Sequence, residues 1–106
     1  MAKYMFIASY TAEGAKGVLK EGGSSRRQAV ATAMASAGGT LESFYFGFGS
    51  DDAYVIADFP DHAGAAAAAL TVSATGTSRV RTVVLITPEE IDQAAQRSVD
   101  FRPPGG

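Results

Sequence analysis

Apolar and polar residues along the chain change period in step with short breaks rich in glycine, proline and aspartate. From Lys3 to Tyr10 the pattern alternates, with Tyr4, Phe6, Ala8 and Tyr10 on one side and Met5, Ile7 and Ser9 on the other. This predicts a first strand with two largely apolar faces. The next stretch, TAEGAKGVLKEGG, holds Gly14, Gly17, Gly22 and Gly23, and predicts no more than a helical turn or two. Ser25-Arg26-Arg27-Gln28 has the spacing of a capping box. Ala29, Val30, Ala33, Met34 and Ala37 then recur at helical intervals ahead of Gly38-Gly39, which predicts a first long helix from about Ser25 to Ala37.

TLESFYFGFG reads as a second strand, and AYVIADF as a third. Gly49-Ser50-Asp51-Asp52 between them is a turn, because glycine and aspartate tolerate positive φ and make local hydrogen bonds. Pro60-Asp61 ends the third strand, and Asp61 is placed to cap a second helix built on AGAAAAAL that stops near Thr75-Gly76. SRVRTVVLI is a fourth strand. Thr87-Pro88-Glu89-Glu90 is a second capping box, with proline at the first helical position of a short helix to about Arg97. The closing FRPPGG supports neither helix nor ladder.

The order strand, helix, strand, strand, helix, strand is that of a ferredoxin-like α+β fold, a four-stranded antiparallel sheet with two main helices on one face and a short C-terminal helix. Residues 1–98 form the expected domain and 99–106 a flexible tail. Met5, Ile7, Phe44, Phe46, Val83 and Leu85 leave neither sheet face cleanly polar, so a second copy of the chain is expected to cover the face without helices.

Composition narrows the functional classes. At 106 residues, 46% hydrophobic and 19% charged, the chain suits one globular domain. A net charge of −2 with scattered arginines gives no cationic stripe for a nucleic-acid backbone. The absence of cysteine excludes disulfides, thiolate chemistry and cysteine-held metals. MAKYMFIASY lacks the continuous apolar core of a signal peptide, and no apolar run approaches the roughly 20 residues that span a bilayer. The expectation is a cytoplasmic protein with no nucleic-acid or membrane partner, no cofactor and no metal site.

Three segments together, YTAEG, AGGTLESFYFGFGSDDAYVIADFPD and GTSRVRTVVLITPEE, resemble the GYD-domain family of small bacterial proteins, which belongs to the dimeric α/β-barrel superfamily. That resemblance implies a homodimer with sheets packed face to face, and it leaves any higher oligomer open. The Gly-x-Tyr-Asp signature of the family falls on Gly49, Ser50, Asp51 and Asp52, so aspartate stands here in place of the tyrosine. The family brings no settled activity with it.

Among individual residues, Asp51 and Asp61 fit turn and cap roles, whereas Asp52, at the hairpin exit, is a candidate for function. Arg79 and Arg81 share a strand face with Val83 and Leu85 and call for a carboxylate, with Asp58 or Asp52 as the natural partner. The alternative for these arginines is an anion clamp. His62 follows the helix cap and is expected to be exposed. The first functional reading is a small, partly apolar ligand between sheet and helices, contacted by Tyr10, Tyr45, Asp52 and Arg81 under a glycine-rich lid from Tyr10 to Gly17. Asp58 and His62 are secondary candidates. The resemblance also allows a cofactor-independent monooxygenase, isomerase or dehydratase, with Asp52, Asp58 or His62 as its base. A third reading is a protein-interaction or regulatory accessory.

Overall fold

A computed structural model describes all 106 residues and has the expected element order, with one additional helix. Strands β1 (Ala2–Tyr10), β2 (Thr40–Phe46), β3 (Ala53–Phe59) and β4 (Ser78–Leu85) form one antiparallel sheet in the order β2-β3-β1-β4. Helices α1 (Ala12–Glu21) and α2 (Gly23–Ser36) join β1 to β2, α3 (His62–Ala74) joins β3 to β4, and α4 (Pro88–Ala95) follows β4. This is the α+β ferredoxin-like arrangement.

β3, a central strand, alternates strictly, with Ala53, Val55, Ala57 and Phe59 buried and the residues between them half-exposed. Tyr4 and Phe6 of β1, Met34 of α2 and Ala65 and Ala68 of α3 complete the core beneath the helices. Phe59 is fully buried, and its ring fits because Gly39 and Gly64 carry no Cβ, which would stand 2.6 Å and 3.0 Å from it.

Three local expectations are corrected. The glycine-bearing stretch after β1 makes a full ten-residue helix, capped by the Thr11 side chain on the Gly14 amide. Gly14 is there for packing, because a Cβ would lie 2.0 Å from the Thr77 carbonyl oxygen at the start of β4. The expected loop lid is thus a docked helix. The Ser25 capping box does not form, since α2 already begins at Gly23 and its N-cap, Gly22 at φ 85°, makes no side-chain cap hydrogen bond. A left-handed residue breaks the path between α1 and α2 at a position where glycine carries no steric penalty.

The third correction concerns β2. A bulge between Leu41 and Ser43 shifts its register, so Leu41 opposes Ala57 and Phe44 opposes Val55, both on the helix-covered side. Phe44 and Phe46 therefore face the helices and do not belong to the open face, an outcome that simple alternation misses because a bulge inserts one unpaired residue. The open face keeps Met5, Ile7, Ile56, Val83 and Leu85, with Tyr45 and Tyr54 paired across β2 and β3.

Asp61 caps α3 by accepting from the Gly64 amide at 2.8 Å, and Thr87 and Glu90 close the second capping box reciprocally. Past Leu85 the chain leaves the body. From Ile86 onward every residue is exposed, and the molecule measures 55 × 32 × 23 Å with a radius of gyration of 16.8 Å. A compact chain of this length would have about 13 Å, so the C-terminal arm accounts for the elongation. No helix is long and apolar enough to cross a membrane.

Candidate functional site

The alanines that give α3 its helix propensity also leave space under it. Where α2 and α3 lie over the sheet, the facing positions include Ala8 and Ala53 below and Ala68 and Ala69 above, and these short side chains fail to meet. The result is a cavity of about 320 Å³, and twelve of the sixteen residues that line it are apolar. A packed core interdigitates without gaps of this size, so this pocket, partly open to solvent, stands apart from the core beside it. It lies at the low end of the size range of ligand pockets.

The cavity has a polar end. Tyr10 and Ser78 are cross-strand partners on β1 and β4, and Thr75 and Thr77 lie just before Ser78. Ser78 is buried, and the hydroxyl of Tyr4 is the other polar side-chain group among the buried residues. Arg26 reaches the same end from the first turn of α2, followed at helical spacing by Val30 and Met34 along the wall. Burial pushes the Tyr10 phenol above its ordinary 10.0, with Asp52 and Glu21 adding to the rise and the Arg26 guanidinium opposing it. The apolar end is formed by Phe6, Val55 and Phe44 with Met34.

Asp52 sets the position of Tyr10. Its carboxylate accepts from the Tyr10 backbone N–H at 2.7 Å, and its own N–H donates to the Ala8 carbonyl at 2.8 Å. These bonds hold the end of β1 where that strand turns into α1. Its neighbour Asp51 points the other way, accepting from the Ser9 hydroxyl at 3.2 Å and from the Arg81 guanidinium at 2.9 Å. The turn before them needs no left-handed residue: the positive-φ positions are Gly22, Gly38, Gly76 and Gly105, not Gly49. The same hairpin lies within a match to the GYD-domain family model over residues 4–95. The chain belongs to the GYD-domain family. No curated protein and no solved structure matches it significantly.

In this GYD domain the four side chains expected to share a ligand do not meet. Tyr10 lines the cavity and Asp52 fixes Tyr10 from behind. Tyr45 and Arg81 are on the open face of the sheet, Tyr45 opposite Tyr54 and well exposed, Arg81 opposite Ile7 and paired with Asp51. The arginine does find a carboxylate, but from the hairpin, because the turn curls Asp51 over the end of β1. Asp58 is also on the open face, where it and Glu42 both accept from Lys3. Those two bonds, Glu42 first, raise the ammonium pKa of Lys3 above its ordinary value.

His62 is exposed at the start of α3, yet its Nδ1 shares a hydrogen bond with the hydroxyl of buried Tyr4, whose ring it meets edge-on. The pair satisfies a phenol in the core and does not line the cavity. No three carboxylate or imidazole groups converge as a metal site would require. Arg26 escaped the sequence reading. The signal was present, since Arg26, Val30 and Met34 fall four apart and share the inward face of α2, but an arginine at a helix start reads first as solvated.

Proposed function

We propose that this GYD domain is a cytoplasmic homodimer that binds a small, partly apolar molecule in the cavity between its sheet and α2 and α3. The carrying observation is the cavity itself, an apolar chamber of about 320 Å³ whose few polar groups gather at one end. A chamber lined this way holds the apolar part of a ligand while a few fixed groups orient the rest. Its wall contains no carboxylate and no imidazole, and neither Asp52, Asp58 nor His62 opens into it. Binding is therefore favoured over acid–base turnover.

The homodimer is supported by areas. Four strands about 4.8 Å apart and about seven residues long at about 3.4 Å each give the open face a footprint of about 450 Å². A stable interface takes about 800 Å² from each partner, so the sheet face supplies roughly half. The arm supplies a means of making up the rest, with Ile86, Ile91, Val99 and Phe101 all exposed on it. Lys3 and Arg81 already carry carboxylate partners, so two basic side chains of that face would enter an interface neutralised.

Native mass spectrometry of the purified protein tests both parts. The expected result is a dimer that takes up small aromatic or aliphatic molecules, with uptake lost in Ala69→Phe, whose ring fills the cavity. Uptake that persists in a folded Ala69→Phe variant would place the binding elsewhere, and a monomer at micromolar concentration would remove the dimer.

A further inference from the structure

Arg26 is the one charged side chain on the cavity wall. Its side chain is about two-thirds buried, with an exposure of 35%, and its single ion partner is Glu21, at 3.3 Å and 36% exposed. Glu21 ends α1, Arg26 lies in the first turn of α2, and Gly22 is the break between the two helices. Glu21 itself does not line the cavity. Arg26 thus stands between two environments, a carboxylate outside that holds its guanidinium and a chamber inside that offers no anion. A guanidinium presents five N–H donors in a planar fork matched to a carboxylate, and one contact at this distance leaves most of that capacity unused. An ion pair this exposed is also weakly held.

The other polar groups stand at the same end. Tyr10 feels both Arg26 and Glu21 electrostatically, and Ser78 is the cross-strand neighbour of Tyr10. A hydroxyl from either can bond a carboxylate oxygen, whereas Phe6, Val55, Phe44 and Met34 offer an apolar sleeve without a polar atom other than sulfur. A cation would meet Arg26 unfavourably. A neutral molecule would leave the guanidinium paired as it is and gain nothing from it.

We propose that the ligand is a small amphipathic carboxylic acid whose carboxylate replaces Glu21 on Arg26 while its hydrocarbon or aromatic part occupies the sleeve. The proposal rests on the reading that this cavity is the binding site, and it assigns that site its chemical class. Glu21 then serves as the internal occupant of the anion position, competing with ligand from the same two-helix junction. Removing either partner of the pair has opposite consequences. Loss of Arg26 takes away the anchor, and loss of the Glu21 charge takes away the competitor.

The test uses cinnamate and cinnamyl alcohol, which share a skeleton and differ in charge, titrated into the full chain at neutral pH with amide chemical shifts as the readout. A hydrogen-bonded charge contact exchanged for a neutral one is expected to give cinnamate an advantage of about tenfold. In Arg26→Gln that preference should fall to within about twofold while the alcohol binds as before, and in Arg26→Lys it should be intermediate, because lysine keeps the charge and loses the fork. In Glu21→Gln cinnamate should bind several-fold tighter with the alcohol unchanged. Equal binding of the two compounds to the unaltered chain, or a preference that survives Arg26→Gln, overturns the carboxylate assignment and leaves the cavity reading standing. Failure of both compounds to shift Val30, Val55 and Val80 overturns the cavity reading, and the assignment with it.

Discussion

Gly14 and Gly17 occupy the same helix, three residues apart, and helix propensity alone treats them alike. Alanine in place of glycine inside an exposed helix stabilises by about 1 kcal/mol, from lower backbone entropy in the unfolded chain and better burial of the helix backbone. At Gly17 nothing lies within 4 Å of the position a Cβ would take, so the full propensity gain should appear. At Gly14 the same carbon would stand 2.0 Å from the Thr77 carbonyl oxygen, 2.9 Å from its carbonyl carbon and 3.2 Å from the Tyr10 ring. An ordinary contact is no closer than about 3.4 Å, so α1 would have to retreat by more than an ångström from the backbone it packs on. That retreat works against the hydrogen bonds tying Thr11 to this segment, its N–H to the Thr77 carbonyl at 3.0 Å and its hydroxyl to the Gly76 carbonyl at 2.9 Å.

Overpacking of this kind costs about 1–3 kcal/mol, and a weakened cap about 1 more, against the propensity gain of about 1. The net expectation is a loss of about 1–3 kcal/mol for Gly14→Ala and a gain of about 0.5–1 kcal/mol for Gly17→Ala. Urea denaturation followed by circular dichroism, at one fixed protein concentration, gives both from the shift in midpoint at constant slope. For a domain of this size the thermal midpoints should separate by roughly 10 °C. Opposite signs are the decisive feature. If Gly14→Ala is neutral or stabilising, the close seating of α1 on the start of β4 is wrong, and with it the placement of Tyr10 and Thr77 around the cavity.

Other consequences can be checked separately. Asp52→Ala leaves the Tyr10 N–H without its acceptor and should destabilise by about 1–3 kcal/mol, whereas Asp51→Ala, which removes a partner from the exposed Arg81, should cost no more than about 1 kcal/mol in the same denaturation assay. Because burial raises the Tyr10 pKa in the folded chain, the native state holds that proton more tightly than the unfolded one. Stability should therefore fall as pH rises above 10.0, and Tyr10→Phe should lack that share of the decline. Light scattering should return twice the mass of the chain. Met5→Arg, which sets a cation in the open face, should give a folded monomer, and removal of residues 87–106 should weaken association without unfolding the body. A truncated chain that associates as tightly as the full one would show that the arm takes no part. Phe59→Ala empties the space between Gly39 and Gly64 and should cost about 3–5 kcal/mol, a large share of the 5–15 kcal/mol that holds such a domain.

Local chemistry in the sequence determined a good deal. Element order and strand faces follow from period, because a buried strand such as Ala53–Phe59 must alternate and an amphipathic helix must repeat near every fourth residue. The Asp61 cap and the box at Thr87 and Glu90 were readable because capping satisfies backbone donors only a few residues away. The sequence therefore carried the ferredoxin-like sheet, the capped starts of α3 and α4, and an apolar second face.

What tertiary structure decided were the matters that depend on residues far apart. The bulge in β2 turned Phe44 and Phe46 toward the helices, since register is set by the partner strand as well as by the strand itself. Gly14 reads as a helix breaker until the carbonyl of Thr77, distant in sequence, is brought against it. Asp51 and Asp52, adjacent in the chain, parted to opposite duties because one met Arg81 and the other the backbone of Tyr10. A ligand space between sheet and helices was expected, but its wall was not legible in a run of alanines, which one helix alone reports as propensity and only a helix laid on a sheet reports as missing volume. Arg26 became a site residue for the same reason. Its charge was legible in the sequence, but which surface it faced was settled by packing.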